Sequence, residues 1–509
     1  MDVNKNCIHM NKMTGKLTQN ITLDEDFNLG EKKDDIVGKI HENGYVVIEK
    51  CAMRDEKVVV GGFLCFTFLY ASENGYDSYS SKIPFEEAYA FYDAGEGDVL
   101  RCDACVMDLS TSVINSRKID VKAIVSIEVT ASCINDETVV DFMDIENLQV
   151  KTNRLDVLQL VVSKKDTVRV RESMNIPREY PNIDNVLWYE LTALGVETRP
   201  MEGYVDVRGS MCIAGIYCGE DGKRFSISNM VPFTGKVELP ECLEKLPVDI
   251  IVSTNDKSLI VRQDANGEMR IIDAEMILAL DIRVYDERQY EILNDAYSPN
   301  YELELVGDSM EYDRFVLKNI LNCRLEKTFD VPQPNIVNVL SCTGKINVDE
   351  MNYTEKGVEI EGAVTADIIY LSSDGNYSFA RYEMPFEEKL DVPHMDEKYM
   401  VNVRPGSMSV TASLKESGNV SIKTDARIEF FVTEKAVADV VREVNIEAPD
   451  YDRIKKLPGI AGYITRDGDT LWDIAKKYCT TMSKIMEDND LSSENLVPGL
   501  KLVLIKMCK

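Results

Sequence analysis

The chain has 509 residues, of which 44% are apolar and 28% charged. That is ordinary globular composition, enough for roughly three or four domains. Its 57 Lys and Arg against 88 Asp and Glu leave a formal charge of −31, a field that repels phosphate backbones and anionic lipid and so argues against nucleic-acid or membrane-surface binding.

The first twenty residues, MDVNKNCIHMNKMTGKLTQN, carry basic side chains but no apolar stretch of the kind a secretory leader needs. The expectation is a soluble protein made in the cytosol, with residues 1–16 as an N-terminal tail. The longest charge-free apolar run, Val58–Ala71, has 14 residues. It is too short to cross a bilayer, and its β-branched and aromatic content predicts a buried strand. Thirteen cysteines, an odd number without dense spacing, predict reduced thiols filling core space. The one Cys-x-x-Cys, Cys102 to Cys105, falls in a strand-like run, where i and i+3 point to opposite faces; no metal or redox site is read there.

Three segments then repeat: GFLCFTFLYASENGYDSYSSKIPFEE (62–87), GSMCIAGIYCGEDGKRFSISNMVPFTG (209–235) and GAVTADIIYLSSDGNYSFARYEMPFEE (362–388). Gly62, Gly209 and Gly362 each precede a tyrosine, Tyr70, Tyr217 or Tyr370, by eight residues. Gly75, Gly222 or Gly375 follows five later, and Pro84-Phe85, Pro232-Phe233 or Pro385-Phe386 closes the unit. PNIDNVL (181–187) and PNIVNVL (334–340) both start 36 residues before their tyrosine, where the first copy has DDIVGKI (34–40). Self-similarity at this period marks tandem homologous domains.

Each copy reads as antiparallel β. In VEIEGAVTADIIY (358–370) the residues Val358, Ile360, Val364, Ala366, Ile368 and Tyr370 share one face, and IDVKAIVSIEV (119–129) alternates likewise. The Asn-Gly or Asp-Gly after the tyrosine signals a hairpin. Polar faces opposite apolar ones predict sheets with one wet side, in a sandwich-like unit. The units span 17–150, 151–295 and 296–440. Their repeated residues are turn and packing types, and the three histidines, His9, His41 and His394, recur at no equivalent positions. The weaker functional reading is that the hairpins present edges for assembly.

Residues 441–460, with Pro449, Pro458 and Gly459 among charges, read as a linker. The last segment, 461–509, has the order strand, helix, helix, strand. Leu471, Ile474, Ala475 and Tyr478 make one helical face, with Thr470 and Asp473 as a capping-box variant. A second helix starts near Thr481 and runs to about Asp488, and Asn489 suits its end by tolerating the left-handed conformation. Trp472 lies off the apolar stripe and is expected half-exposed. Tyr463, Gly468-Asp469-Thr470-Leu471-Trp472, Ile474-Ala475, Tyr478, Ile485, Asn489, Leu496, Gly499, Leu502 and Ile505 make this segment resemble a LysM domain. That resemblance implies a βααβ fold and a glycan groove at Asp467, Gly468, Asp469, Thr470, Asn489, Leu496, Pro498 and Gly499.

Three acidic β-repeats followed by one LysM domain resemble the spore coat morphogenetic proteins with SPOCS domains, of the SipL type. The fold class implied is mainly β: three tandem antiparallel SPOCS domains and a small LysM domain. The resemblance implies a non-enzymatic scaffold in the mother-cell cytoplasm that settles on the forespore surface and spore coat. Its LysM domain would engage the coat-basement ATPase SpoIVA, and its repeats would recruit other coat proteins. The candidate partner-binding residues are then Trp472, Ile460, Lys476 and Lys477. The alternative is a LysM protein that binds peptidoglycan- or chitin-type glycans. A wall hydrolase is the reading with least support: Glu86-Glu87 and Glu387-Glu388 follow Pro-Phe in two copies, but Thr234-Gly235 stands there in the second. No catalytic residue, cofactor or metal is expected.

Overall fold

The structure is a computed structural model that describes residues 3–331, 335–392, 395–415, 419–448 and 451–507; Pro334, His394 and Pro449 lie outside the described residues. Three units of one strand order follow each other. The first holds β1 (Val3–Asn28), β2 (Ile36–Arg54), β3 (Lys57–Ser72), β4 (Gly75–Ala90), β5 (Val99–Asn115) and β6 (Lys118–Met143). The second holds β7 (Gln149–Asn175), β8 (Ile183–Met201), β9 (Tyr204–Gly219), β10 (Arg224–Glu238), β11 (Val248–Gln263) and β12 (Met269–Tyr297). The third holds β13 (Glu302–Phe329), β14 (Ile336–Thr354), β15 (Gly357–Ser372), β16 (Tyr377–Asp391), β17 (Tyr399–Leu414) and β18 (Val420–Glu447). Each unit is two antiparallel three-stranded sheets, β2-β3-β4 and β1-β6-β5 in the first, with the same orders in the others. One apolar core lies inside each unit; Phe66, Phe68 and Tyr70 of β3 pack with Ile119, Val121, Val125 and Ile127 of β6.

The repeated motif has a packing reason. Gly62, Gly209 and Gly362 stand directly opposite Phe85, Phe233 and Phe386 on the neighbouring strand. A Cβ at Gly362 would lie 2.8 Å from the Phe386 ring and would also strike the Asn347 carbonyl oxygen. The aromatic ring covers the glycine, and the glycine leaves room for it. The prolines pair on β4, β10 and β16, all edge strands, where their missing N–H faces no partner. Gly75, Gly222 and Gly375 have φ of 130°, 74° and 84°, the turn positions only glycine fills without strain. Ile36, Ile183 and Ile336 open β2, β8 and β14, so the divergent first copy keeps the same register.

Two features differ from the sequence expectation. The long strands outrun the sandwiches: β5 leaves β6 at Ser132, yet β6 continues to Met143 paired only with β1. The same happens beyond Val284 of β12 and Glu434 of β18. Three two-stranded ribbons result, each about 40 Å long at ~3.3 Å per residue. Residues 3–12 are therefore half of the first ribbon, residues 13–16 continue the same strand into the sheet, and the chain to Glu447 is still ribbon, where a tail and a linker were expected. Residues 451–456 add a short helix, α1 (Tyr451–Lys456).

The second difference is that the second face of the inner sheets is wet only in part. Leu69, Ile216 and Ile369, at equivalent positions of β3, β9 and β15, are at most 1% exposed and share a cluster with Trp188, Tyr76 and Tyr377. Ile8, Leu155 and Met310, also equivalent by register, meet in another cluster among the ribbons. Each unit touches both others, so the three surround an approximate threefold axis. The hairpin tips expected as assembly edges meet each other there: Tyr76 stacks edge-on against Tyr377 at 5.3 Å, and Arg224 lies 5.2 Å from the Tyr76 ring.

Charges tie the units as well. Asp249 is buried between Arg101 of the first unit and Arg404 of the third, the latter at 2.5 Å. Arg101 also donates to the Asp281 carbonyl at 2.8 Å. Burial alone would raise the Asp249 pKa, but the two guanidinium groups hold it well below the carboxylate range.

Candidate docking module

The C-terminal module is β19 (Ile460–Ile464), α2 (Leu471–Lys477), α3 (Met482–Asp488) and β20 (Lys501–Ile505). β19 and β20 pair antiparallel from Ile460↔Ile505 to Ile464↔Lys501. Leu471, Ile474 and Ala475 of α2, Ile485 of α3, and Leu502 and Leu504 of β20 close the core, all at most 3% exposed. Thr470 caps α2, accepting from Asp473 N at 3.1 Å and donating to its carboxylate at 2.6 Å. Thr481 caps α3 by accepting from Lys484 N at 3.2 Å.

The loops flanking the helices are stitched by Thr465, which donates to Val497 O at 2.6 Å and accepts from Leu500 N at 2.9 Å. Asp469 accepts from Arg466 N and from the Tyr463 hydroxyl, both at 2.8 Å; these bonds, the backbone one first, lower its pKa. Asn489 is also spent on structure. Its side chain donates to Ile485 O and Val503 O at 2.8 and 2.7 Å and accepts from Val503 N at 2.6 Å. Asn489 has φ −120°, and Asp490 takes the left-handed position at φ 54°. The expectation for Asn489 is corrected: its amide must lie back along β20, so the turn falls one residue later.

Family models match the chain in three places. The SipL, SPOCS domain model matches residues 35–114 and 335–415, and the LysM domain model matches 463–504. This chain carries SPOCS domains and a C-terminal LysM domain. It is a sporulation-related protein with a LysM module, and its matched domains are of non-catalytic, binding type. The middle repeat, which lies between the two SPOCS matches, has the same strand order as they have. No curated protein and no solved structure matches the chain. Among the described residues no helix is long and apolar enough to cross a membrane.

The LysM domain holds the candidate residues in two groups. Ile460, 67% exposed, shares the open face of the β19–β20 sheet with Ile464 and Val503. Trp472 differs from expectation: it is only 9% exposed, because its ring packs edge-on against Tyr297 of β12 at 4.9 Å and 81°. Its Nε1 donates to Asp295 at 2.8 Å, and Lys476 reaches the same carboxylate at 2.7 Å. Lys477 is exposed, 5.8 Å from the Tyr478 ring. Of the groove residues, Asp467, Gly468, Thr470, Pro498 and Gly499 are exposed, and Asp469, Asn489 and Leu496 half-buried.

Outside the LysM domain, the first ribbon brings Cys7, His9 and Asp136 together on its surface, their ligand atoms all within 4.8 Å. Sequence spacing could not show this, since the β1–β6 register sets His9 opposite Asp136. His9 Nδ1 and Asp136 Oδ1 lie 2.5 Å apart and satisfy each other. None of the twelve described cysteines forms a disulfide; of them only Cys65, Cys242 and Cys323 are buried, and Cys7 and Cys105 are exposed. Cys242 and Cys323 lie in the unit cores, and Cys51, Cys102 and Cys342 pack against them half-buried.

Proposed function

We propose that this protein is a non-enzymatic spore coat morphogenetic scaffold. Its LysM domain docks on the coat-basement ATPase SpoIVA at the forespore surface, after synthesis in the mother-cell cytoplasm, and its repeats recruit other coat proteins. The observation that carries this reading is the exposed apolar strip of the two-stranded LysM sheet: Ile460, Ile464 and Val503 are 67%, 60% and 46% exposed on one face. Scattered apolar side chains on a surface are ordinary, but three adjacent ones on a two-stranded sheet fit a protein-contact site. The buried threefold body supplies a rigid mount for it. Co-purification from sporulating cells, with and without residues 461–509, tests the reading; retention of SpoIVA by the truncated chain would refute it.

A second reading, glycan binding, is favoured by the exposed loops around Gly468 and Gly499, which take left-handed turns at φ 84° and 88°. With Asn489 occupied by its own bonds, the groove has fewer free polar groups than its sequence offers. Titration of the full chain with chitin oligomers separates the two: saturable binding in the micromolar range would favour the glycan.

A further inference from the structure

Helix α2 is seated on the ribbon bundle by the side chains that the docking reading offers to a partner. One carboxylate, Asp295, accepts from Trp472 Nε1 at 2.8 Å and from Lys476 Nζ at 2.7 and 3.0 Å. Tyr297, 5% exposed, belongs to the apolar cluster of the LysM domain rather than to that of its own ribbon. Burial, then the Asp295 charge, pushes the Tyr297 hydroxyl pKa upward, so it stays a neutral packing surface.

The seat is a local departure from the threefold repeat. All three ribbons have a bulge near their free end, leaving Asp141, Asn294 and Arg442 as extra residues. A bulge re-aims the side chains that follow it. After the bulge, the first ribbon continues Phe142 and Asp144, and the third Glu443 and Asn445. Only the second presents an acid followed by an aromatic, Asp295 and Tyr297.

We propose that Asp295 and Tyr297 form an internal docking site for the LysM helix, which competes with an external partner for Trp472 and Lys476. The matching surface on that partner is a carboxylate beside an aromatic ring, the chemistry this site already shows. This rests on reading the LysM domain as a docking module. The sheet strip of Ile460, Ile464 and Val503 stays open while α2 is seated, so a partner can land there first and take the Trp472 face once it is released. Apparent affinity is then reduced by the fraction of molecules in the seated state.

The test uses the full chain. Asp295→Lys sets a cation against Lys476 and releases the helix; Asp295→Ala is the milder variant should the first misfold. The chain has two tryptophans, and Trp188, 3% exposed at the threefold axis, is a constant background. Acrylamide quenching should show Trp472 newly accessible in Asp295→Lys and protected again in Asp295→Lys/Lys476→Glu. Purified SpoIVA should bind the Asp295 variants more tightly, by about tenfold, or 1.4 kcal/mol. Unchanged quenching in both Asp295 variants overturns the internal site. Increased quenching with unchanged SpoIVA affinity overturns the competition. Trp472→Glu then locates the fault: if it abolishes SpoIVA binding, the docking reading stands and competition alone has failed; if binding persists, that reading has failed too.

Discussion

Replacing Asp249 with alanine tests whether the three repeats are one cooperative body. Arg101 is 3% exposed and Arg404 is largely buried beside it. Asp249 is the carboxylate that both guanidinium groups contact. Removing one partner of a buried pair leaves the other charge uncompensated, at a cost of about 3–5 kcal/mol. What that does to a melting curve depends on the size of the unfolding unit. With an unfolding entropy of ~2.1 cal/mol/K per residue, a single body of roughly 445 residues should melt about 3–5 °C lower. A separate repeat of roughly 150 residues would drop by about 10–15 °C. Differential scanning calorimetry of the wild type and Asp249→Ala distinguishes these outcomes. The threefold packing predicts one main transition that moves by the smaller amount. A transition unmoved within 1 °C, at ~0.9 kcal/mol per degree, would show that the network contributes little and refute this account of how the repeats hold together.

Acid should weaken the same network. Asp249 has its folded pKa depressed, so its contribution is present above the unfolded value near 3.9 and is lost as pH falls below it. Asp103 and Glu429 are raised by burial and act with the opposite sign, adding stability as pH falls through their folded values. The melting temperature should therefore hold or rise slightly on acidification toward pH 4 and fall below it, and Asp249→Asn should flatten that fall. Gly362→Ala forces a Cβ against the Asn347 carbonyl and the Phe386 ring; a destabilisation of about 1–3 kcal/mol by denaturant titration is expected, whereas a Gly30→Ala control, with open space around its Cβ, should show no such loss. Ile460→Glu places a charge on the exposed LysM strip without touching its core, and should lower SpoIVA binding at least tenfold in a pull-down titration while the circular dichroism spectrum stays unchanged.

The sequence by itself determined what depends on local spacing. Strand alternation, the Gly–Tyr–Gly–Pro-Phe repeat, the two capped LysM helices and the family resemblance are all fixed by residues a few positions apart. Even the reason for the motif, glycine beneath phenylalanine, follows from hairpin register once a turn glycine is placed. Only tertiary structure decided what lies on the second face of each sheet. A lone alternating strand reads as half wet; three copies around an axis bury the part of that face nearest it, because Leu69, Ile216 and Ile369 find each other. The ribbons were hidden for the same reason: residues 3–16 look polar and tail-like until β6 extends to pair with them. Trp472 shows the limit most clearly. Helical spacing set it off the LysM core stripe, and that was sound for the module alone. Its burial came from Asp295 and Tyr297, residues 177 and 175 positions earlier, which no local pattern connects to it.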